Sequence, residues 1–302
     1  HYFRISDTSD YLKWGPERRI DYGDFLVASR DRVTYMNLFP MSAEEKLYCF
    51  FRGLEFNPCV ISSPDHGETW EDAKHFIRSE VEGRHRPYVC YAGNGVDRVH
   101  LSFTDAHPRN YGNNIYYALF KGGEFFKADG TLIKGLVQDG PLRPSEADLV
   151  FRGSEMAVAG KHGASAPQSA WTSSIALDKD GNPHIGYSYY LSNTDHRYRI
   201  ASWNGRRWVD REVALAGSCL YEAESSYTGL IALDPVDPTF VVISTDVDPS
   251  SGNSLGGTHE IFRARVGMDD DRDSINWKAV TTNSPCRNIR PVILRNDQQR
   301  VV

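Results

Sequence analysis

The sequence predicts an all-β chain, a β-propeller of four-stranded antiparallel blades. Three observations carry this expectation: a turn octapeptide of pattern S-x-D-x-G-x-T-W at Ser63 to Trp70, a recurring hairpin unit, and the lack of any long stretch with helical periodicity. Each residue type in the octapeptide has a physical task. Asp65 can accept bonds from backbone N–H groups of the turn, Gly67 can take a positive φ, and Trp70 can bury its ring between neighbouring blades.

Along the chain, one hairpin type joins two apolar strands through a short polar turn. It occurs at Val33 to Phe39 with Lys46 to Phe51, Tyr88 to Tyr91 with Arg98 to Phe103, and Ser174 to Leu177 with His184 to Tyr187. It returns at Leu230 to Leu233 with Phe240 to Ser244 and at Pro291 to Leu294 with Arg300 to Val302. A second type alternates with it and closes on an aromatic: Tyr2 to Trp14, Cys59 to Trp70, Ile115 to Phe126, Tyr198 to Trp208 and Glu260 to Trp277. Gly122-Gly123 and Asn204-Gly205 are tight-turn dipeptides within it. Together the two types make blades that repeat at roughly 55 to 85 residues. Read this way, residues 1–302 are a single propeller domain that opens on an outer hairpin and stops inside an inner one. The expectation is a fragment of a longer propeller, cut at both ends, with closure as five blades the alternative, because an unpaired strand edge is a liability.

Composition narrows the function classes. The chain has 302 residues, 40% hydrophobic and 25% charged, and a formal charge of −6, which argues against a general nucleic-acid or acidic-membrane surface. No apolar run is long enough to cross a membrane. Five scattered cysteines include no C-x-x-C pair, and Cys49, Cys59 and Cys90 sit in apolar strand-like runs that read as buried free thiols. No spacing of His or carboxylates marks a zinc or calcium site. No cofactor is required by this reading, and a structural metal ion stays open.

In a propeller, the loops that leave each second strand and enter each first strand share one face. That places the octapeptide on the opposite face, as a structural element. The loop face collects Arg84-His85-Arg86-Pro87, Thr104-Asp105-Ala106-His107-Pro108-Arg109, Tyr187 to Tyr190, Asp195 to Arg199, His259, Arg287 and Arg290. Such a set suits removal of the weakly acidic C5 proton of a uronic acid: Arg or His donors stabilise the carboxylate while a His/Tyr pair moves protons. His107, in a polar loop between Asp105 and Arg109, is the best placed of the histidines.

The segments Arg86-Pro87-Tyr88-Val89, Phe103-Thr104-Asp105-x-His107-Pro108-Arg109, Asp195-His196-Arg197-Tyr198-Arg199, Thr258-His259-Glu260-Ile261 and Asn288-x-Arg290-Pro291 resemble the BNR-repeat propeller group that includes ulvan lyases. The resemblance implies a seven-bladed propeller that cuts a sulfated, uronate-containing polysaccharide by β-elimination. It matches His107 to the motif histidine, Arg199 or Arg197 to the basic strand nearby, and Tyr187, Tyr189 or Tyr190 to the tyrosine; with the loop-face residues, the expected catalytic set is His107, Tyr187, Tyr189, His196 and Arg199, and the substrate contacts are His85, Arg86, Arg109, Tyr190, Arg197 and Arg290. The implied partner is an acidic polysaccharide, with no nucleic acid and no membrane, met by a monomer that is secreted or periplasmic. A sialidase-like hydrolase is the runner-up, since Phe3-Arg4-Ile5-Ser6 approaches an F-R-I-P pattern with Ser6 in place of proline. A carbohydrate-binding propeller without turnover is the third reading.

Overall fold

The computed structural model describes residues 2–7, 9–10, 12–20, 22, 32–71, 73–81, 86–157, 165–295 and 300–302. β1 (Tyr2–Phe3) pairs antiparallel with β2 (Arg18–Arg19). β3 (Thr34–Met41), β4 (Lys46–Arg52), β5 (Pro58–Ser63) and β6 (Lys74–His75) then form a sheet in chain order. The second sheet runs β7 (Val89–Gly93), β8 (Val99–Phe103), β9 (Ile115–Lys121), β10 (Glu124–Phe126) and β11 (Leu132–Gly135). A short helix, α1 (Leu136–Asp139), leads on to β12 (Asp148–Phe151), which returns to pair with β9. β13 (Ser169–Leu177), β14 (Pro183–Ser192), β15 (Asp195–Trp203) and β16 (Trp208–Gly217) make the third sheet. β17 (Ile231–Leu233), β18 (Phe240–Thr245), β19 (Glu260–Arg265) and β20 (Lys278–Ala279) make the fourth, and β21 (Leu294–Arg295) pairs with β22 (Arg300–Val301). Among the described residues these are four blades of a β-propeller, with all pairings within blades antiparallel.

The turns close for the reasons their residues suggest. Asn94 Oδ1 accepts the N–H groups of Val96, Asp97 and Arg98 at 2.9–3.1 Å, and Asp178 and Asn204 do the same in the next blade. In the octapeptide, Asp65 Oδ1 accepts the Thr69 N–H at 2.7 Å and Oδ2 accepts the Thr69 hydroxyl at 2.6 Å, while Gly67 sits at φ 95°. Trp70 packs edge-on against Phe3, with ring centroids 6.3 Å apart, so it pins the outer β1–β2 hairpin to the first blade.

Two features depart from the expected pattern. The inner strands do not alternate between core and solvent: β5, β8 and β18 are buried along their whole length. Blades pack face to face, so a middle strand has apolar neighbours on both sides. The core therefore lies between blades. Phe50 of β4 meets Phe76 just past β6 at 4.8 Å, and Phe76 meets Phe120 and Phe125 of the second blade at 5.0 Å each. Second, the outer strand of blade two is built from two pieces. β10 pairs with the last residues of β9 and β12 with its first. Lys134, ion-paired to Glu146 at 2.8 Å, ties the insert between them together.

Candidate functional site

The first strands of the blades converge on a cavity of about 370 Å³. Its wall is contributed by Tyr35 to Asn37 of β3, Tyr88 to Tyr91 around β7, Trp171 to Ser173 of β13, and Tyr227, Thr228 and Leu230 ahead of β17, with Arg52 and Arg290 beside them. Aromatic rings meet edge to face around this opening. Tyr88 lies 5.4 Å from Trp171, Trp171 lies 4.7 Å from Tyr227, and Tyr227 stacks on the exposed Tyr221 at 5.4 Å. Such faces suit the apolar side of a sugar ring. Three of the wall residues, Tyr35, Leu230 and Arg290, are non-glycine residues at positive φ (56°, 77° and 58°). Backbone strain of this kind collects at ligand sites.

His107 borders the aromatic group, with its ring 5.3 Å from Tyr88, 5.2 Å from Trp171 and 6.3 Å from Tyr227. Its loop is held from below. Asp105 accepts the Asn114 N–H at 2.8 Å and the Tyr116 hydroxyl at 2.9 Å, and Asn113 bonds both the N–H and the carbonyl of Ala106. Burial raises the Asp105 carboxyl to about 6. Burial, reinforced by Arg109, Arg86 and Arg52, pushes His107 down to about 4, so the imidazole is neutral at pH 7. Its Nδ1 accepts the Arg109 backbone N–H at 3.1 Å. The ring proton then sits on Nε2, and among the described residues no acceptor is bonded there. His107 thus presents a hydrogen-bond donor. Arg109 reaches across to the Glu224 carboxylate through its guanidinium, and Glu224 Oε2 has no partner among the described residues.

The other expected residues separate into two groups. Arg86 stays with the site: its guanidinium stacks on the Phe56 ring at 4.6 Å and its charge is felt at His107. Arg290 lines the cavity, and Arg109 adjoins His107 through its backbone N–H. His85 lies outside the described residues.

The strand residues of blade three, expected as catalytic and substrate-binding groups, stand apart from the cavity wall and are engaged with one another. Tyr187 has no exposed surface; its hydroxyl donates to Asp210 at 2.5 Å and accepts from Arg199 Nε at 3.1 Å. Arg199 is itself ion-paired to Asp210 at 2.5 Å and stacked on Phe151. Tyr189 faces the same Phe151, with ring centroids 5.2 Å apart. Arg197 is consumed by Asp195 and by Glu212 at 2.8 Å. His196, 1% exposed, is placed with its ring nitrogens against the carbonyls of Ser225 (2.9 Å) and Gly217 (3.3 Å), and burial lowers its pKa. Tyr190 stacks edge-on against His196 and donates to Asn193 at 2.7 Å. None of these six lines the cavity. They form an ionic and polar network that binds β14, β15 and β16 into one blade.

Sequence reasoning missed Tyr35, Arg52, Tyr88, Trp171 and Tyr227 as site residues. A signal existed, because each sits at the start of a first strand, at the end of a second one or in the loop leading into a first strand, where the loop face lies. No group of three His, Cys, Asp or Glu side chains suited to a metal occurs among the described residues. Nor is any helix of the described residues long and apolar enough to cross a membrane. Cys49 and Cys59 are buried, the Cys59 thiol donating to the Asn57 carbonyl at 3.4 Å, and Cys90 is half-buried in the cavity wall.

Comparison with known proteins agrees with this architecture. An ulvan lyase of a polysaccharide lyase family, bound to -[GlcA(1-4)Rha3S]-, superposes with a TM-score of 0.54 at 17% identity, covering 82% of this chain and 56% of its own. The chain thus spans little more than half the length of that lyase, and the likeness is one of fold. A Hadza microbial sialidase superposes more loosely, with a TM-score of 0.46 at 10% identity over 83% of this chain and 47% of its own. No protein of curated function matches the sequence. The model of a family described as "BNR repeat-containing family member" matches residues 1–216, well over half of the 302 residues, and the chain belongs to that family.

Proposed function

We propose that this propeller is a polysaccharide lyase that cleaves a uronate-containing chain by β-elimination. The observation that carries the reading is the state of His107: a neutral imidazole whose Nε2–H has no acceptor among the described residues, in a field of three arginines and bordered by aromatic rings. A donor of that kind, together with Arg86, would bind the uronate carboxylate and stabilise the negative charge that spreads onto it as the C5 proton leaves. Glu224, held through Oε1 by Arg109, would accept that proton on Oε2. Burial raises the hydroxyl pKa of both Tyr88 and Tyr227, the latter to about 12, so each is protonated at neutral pH. Either hydroxyl would supply the proton taken by the departing glycosidic oxygen as the C4–O bond breaks and C4=C5 forms. Work on a polymer of this kind fits a secreted or periplasmic enzyme.

The test is to incubate the protein with ulvan and with other uronate polysaccharides while recording the ultraviolet absorbance of unsaturated uronate ends. Growth of that absorbance is expected, with loss in His107→Ala and Glu224→Gln. New reducing ends without absorbance would replace elimination by hydrolysis. Binding with no new ends of either kind would leave a carbohydrate-binding module.

A further inference from the structure

The loop between β8 and β9 carries a buried carboxylate that has no step in the proposed reaction. Asp105, 6% exposed, stands two residues before His107, and no lysine or arginine pairs with it among the described residues. Each of its oxygens faces a donor that cannot turn round. Oδ2 accepts the Asn114 backbone N–H at 2.8 Å, and a backbone N–H has no lone pair to offer in return. Oδ1 accepts the Tyr116 hydroxyl at 2.9 Å, and that hydroxyl oxygen already accepts from Asn114 Nδ2 at 2.8 Å, which directs its one proton at Asp105. A proton added to either oxygen would meet a donor and break one of these bonds. The pocket is shaped for the ionised form.

The two asparagines that follow set the register of the His107 loop. Asn113 brackets the residue between Asp105 and His107: its Oδ1 accepts the Ala106 N–H at 2.9 Å and its Nδ2 donates to the Ala106 carbonyl at 2.7 Å. Asn114 holds Asp105 through its backbone, while its side chain donates to Glu155 Oε1 at 2.9 Å and accepts the Gly153 N–H at 2.8 Å. His107 therefore extends from a frame that is complete only while Asp105 is charged. The titratable and charged groups around the carboxylate are Tyr116 at the start of β9, Tyr111, His107 and Arg109 on its own loop, and Glu155 with its ion-paired Arg152 after β12. Arg109 is turned to Glu224. Burial, with Glu155 adding like charge, lifts the carboxyl to about 6.

We propose that Asp105 is a positioning residue, whose ionised carboxylate holds the His107 loop in its working register and whose protonation releases that register and switches the site off. The proposal rests on the lyase reading and adds an acid-sensitive control to it.

The test follows two signals on the full chain between about pH 7.5 and about pH 5: the absorbance of unsaturated uronate ends, and Trp171 fluorescence taken as wild type minus Trp171→Phe. Trp171 reports the place of His107, since the rings lie 5.2 Å apart. Melting curves at each pH separate loss of the site from loss of the fold. In the wild type, kcat/KM and the Trp171 signal should change together with a midpoint near pH 6, the rate falling about tenfold at the acid end. Asp105→Asn, which aims an N–H at a donor, should show the acid-end rate and the acid-end Trp171 signal at every pH. Tyr116→Phe removes a bond that favours the charged form, so its midpoint should move upward by about half a pH unit or more. A merely structural role would lower the rate in either variant and leave the midpoint in place. An acid limb that persists in Asp105→Asn, an unmoved midpoint in Tyr116→Phe, or a flat Trp171 signal in the wild type would each overturn the proposal. No unsaturated product, with a Trp171 transition that Asp105→Asn abolishes and Tyr116→Phe raises, sinks elimination and leaves the positioning role standing. Unsaturated product with an unmoved midpoint does the reverse.

Discussion

At the scale of single residues, the site turns on which nitrogen of His107 holds the proton. The backbone N–H of Arg109 occupies Nδ1, so the ring donates through Nε2, the role of an electrophile more than of a base. Replacing His107 by alanine should lower the elimination rate by about a hundredfold or more. Polysaccharide binding should weaken by less than the rate falls, because the bond to the carboxylate strengthens as negative charge builds on it. The matching control is Tyr187→Phe. Its hydroxyl is bonded to Asp210 and Arg199 away from the cavity, so the variant should lose about 1–3 kcal/mol in a urea titration. Its cleavage rate should stay at the wild-type level, and a rate lost at unchanged stability would return Tyr187 to the reaction. Alternation correctly put Tyr187 and Tyr189 on one side of their strand. It had no means to say that this side faces Phe151 of the second blade, because that neighbour is distant in sequence.

At the scale of elements, the loops that link blades bring the site together. The segment after β16 carries Glu224 to Arg109 and Tyr227 to His107, and it is anchored by His196 on the Ser225 carbonyl and by Ser225 on Ser165. Its entry is Gly217, at φ 73°, where an added Cβ would lie 1.7 Å from Asp246 Oδ1. Gly217→Ala should therefore cost more than about 1 kcal/mol, since both the backbone angle and the space oppose it. It should also weaken glycan binding, as the loop shifts Tyr227. Unchanged melting and unchanged binding would show that this loop does not set the site. Turn chemistry was legible at this scale: Asn94, Asp178 and Asn204 each bond the N–H groups their sequences imply. The two-piece outer strand of blade two was not, because β12 joins β9 only through tertiary pairing across an insert.

For the whole molecule, burial sets the response to acid. It lowers the pKa of His75, His100, His107, His184, His196 and His259, with His100 and His107 pushed down to about 4. Each is neutral when folded but protonates near 6.5 when unfolded, so the unfolded state takes up more protons as pH falls. Their contribution is complete above about pH 6.5 and is lost progressively toward pH 4, with His100 and His107 each contributing on the order of 3 kcal/mol. Asp105 and Asp148, raised by burial, act in the opposite sense. The melting temperature should thus fall between pH 7 and pH 4.5, and a flat profile across that interval would contradict the buried neutral histidines. By itself the sequence determined the all-β class, the blade hairpins and their turns, because strand patterning and Asn, Asp and Gly turn chemistry act over a few neighbouring residues. The tertiary structure alone decided which side chains meet at the candidate site. Arg52, Tyr88, His107, Trp171, Glu224 and Tyr227 come from segments far apart in the chain. Strands buried on both faces carry no local signal of which face meets the axis and which the next blade.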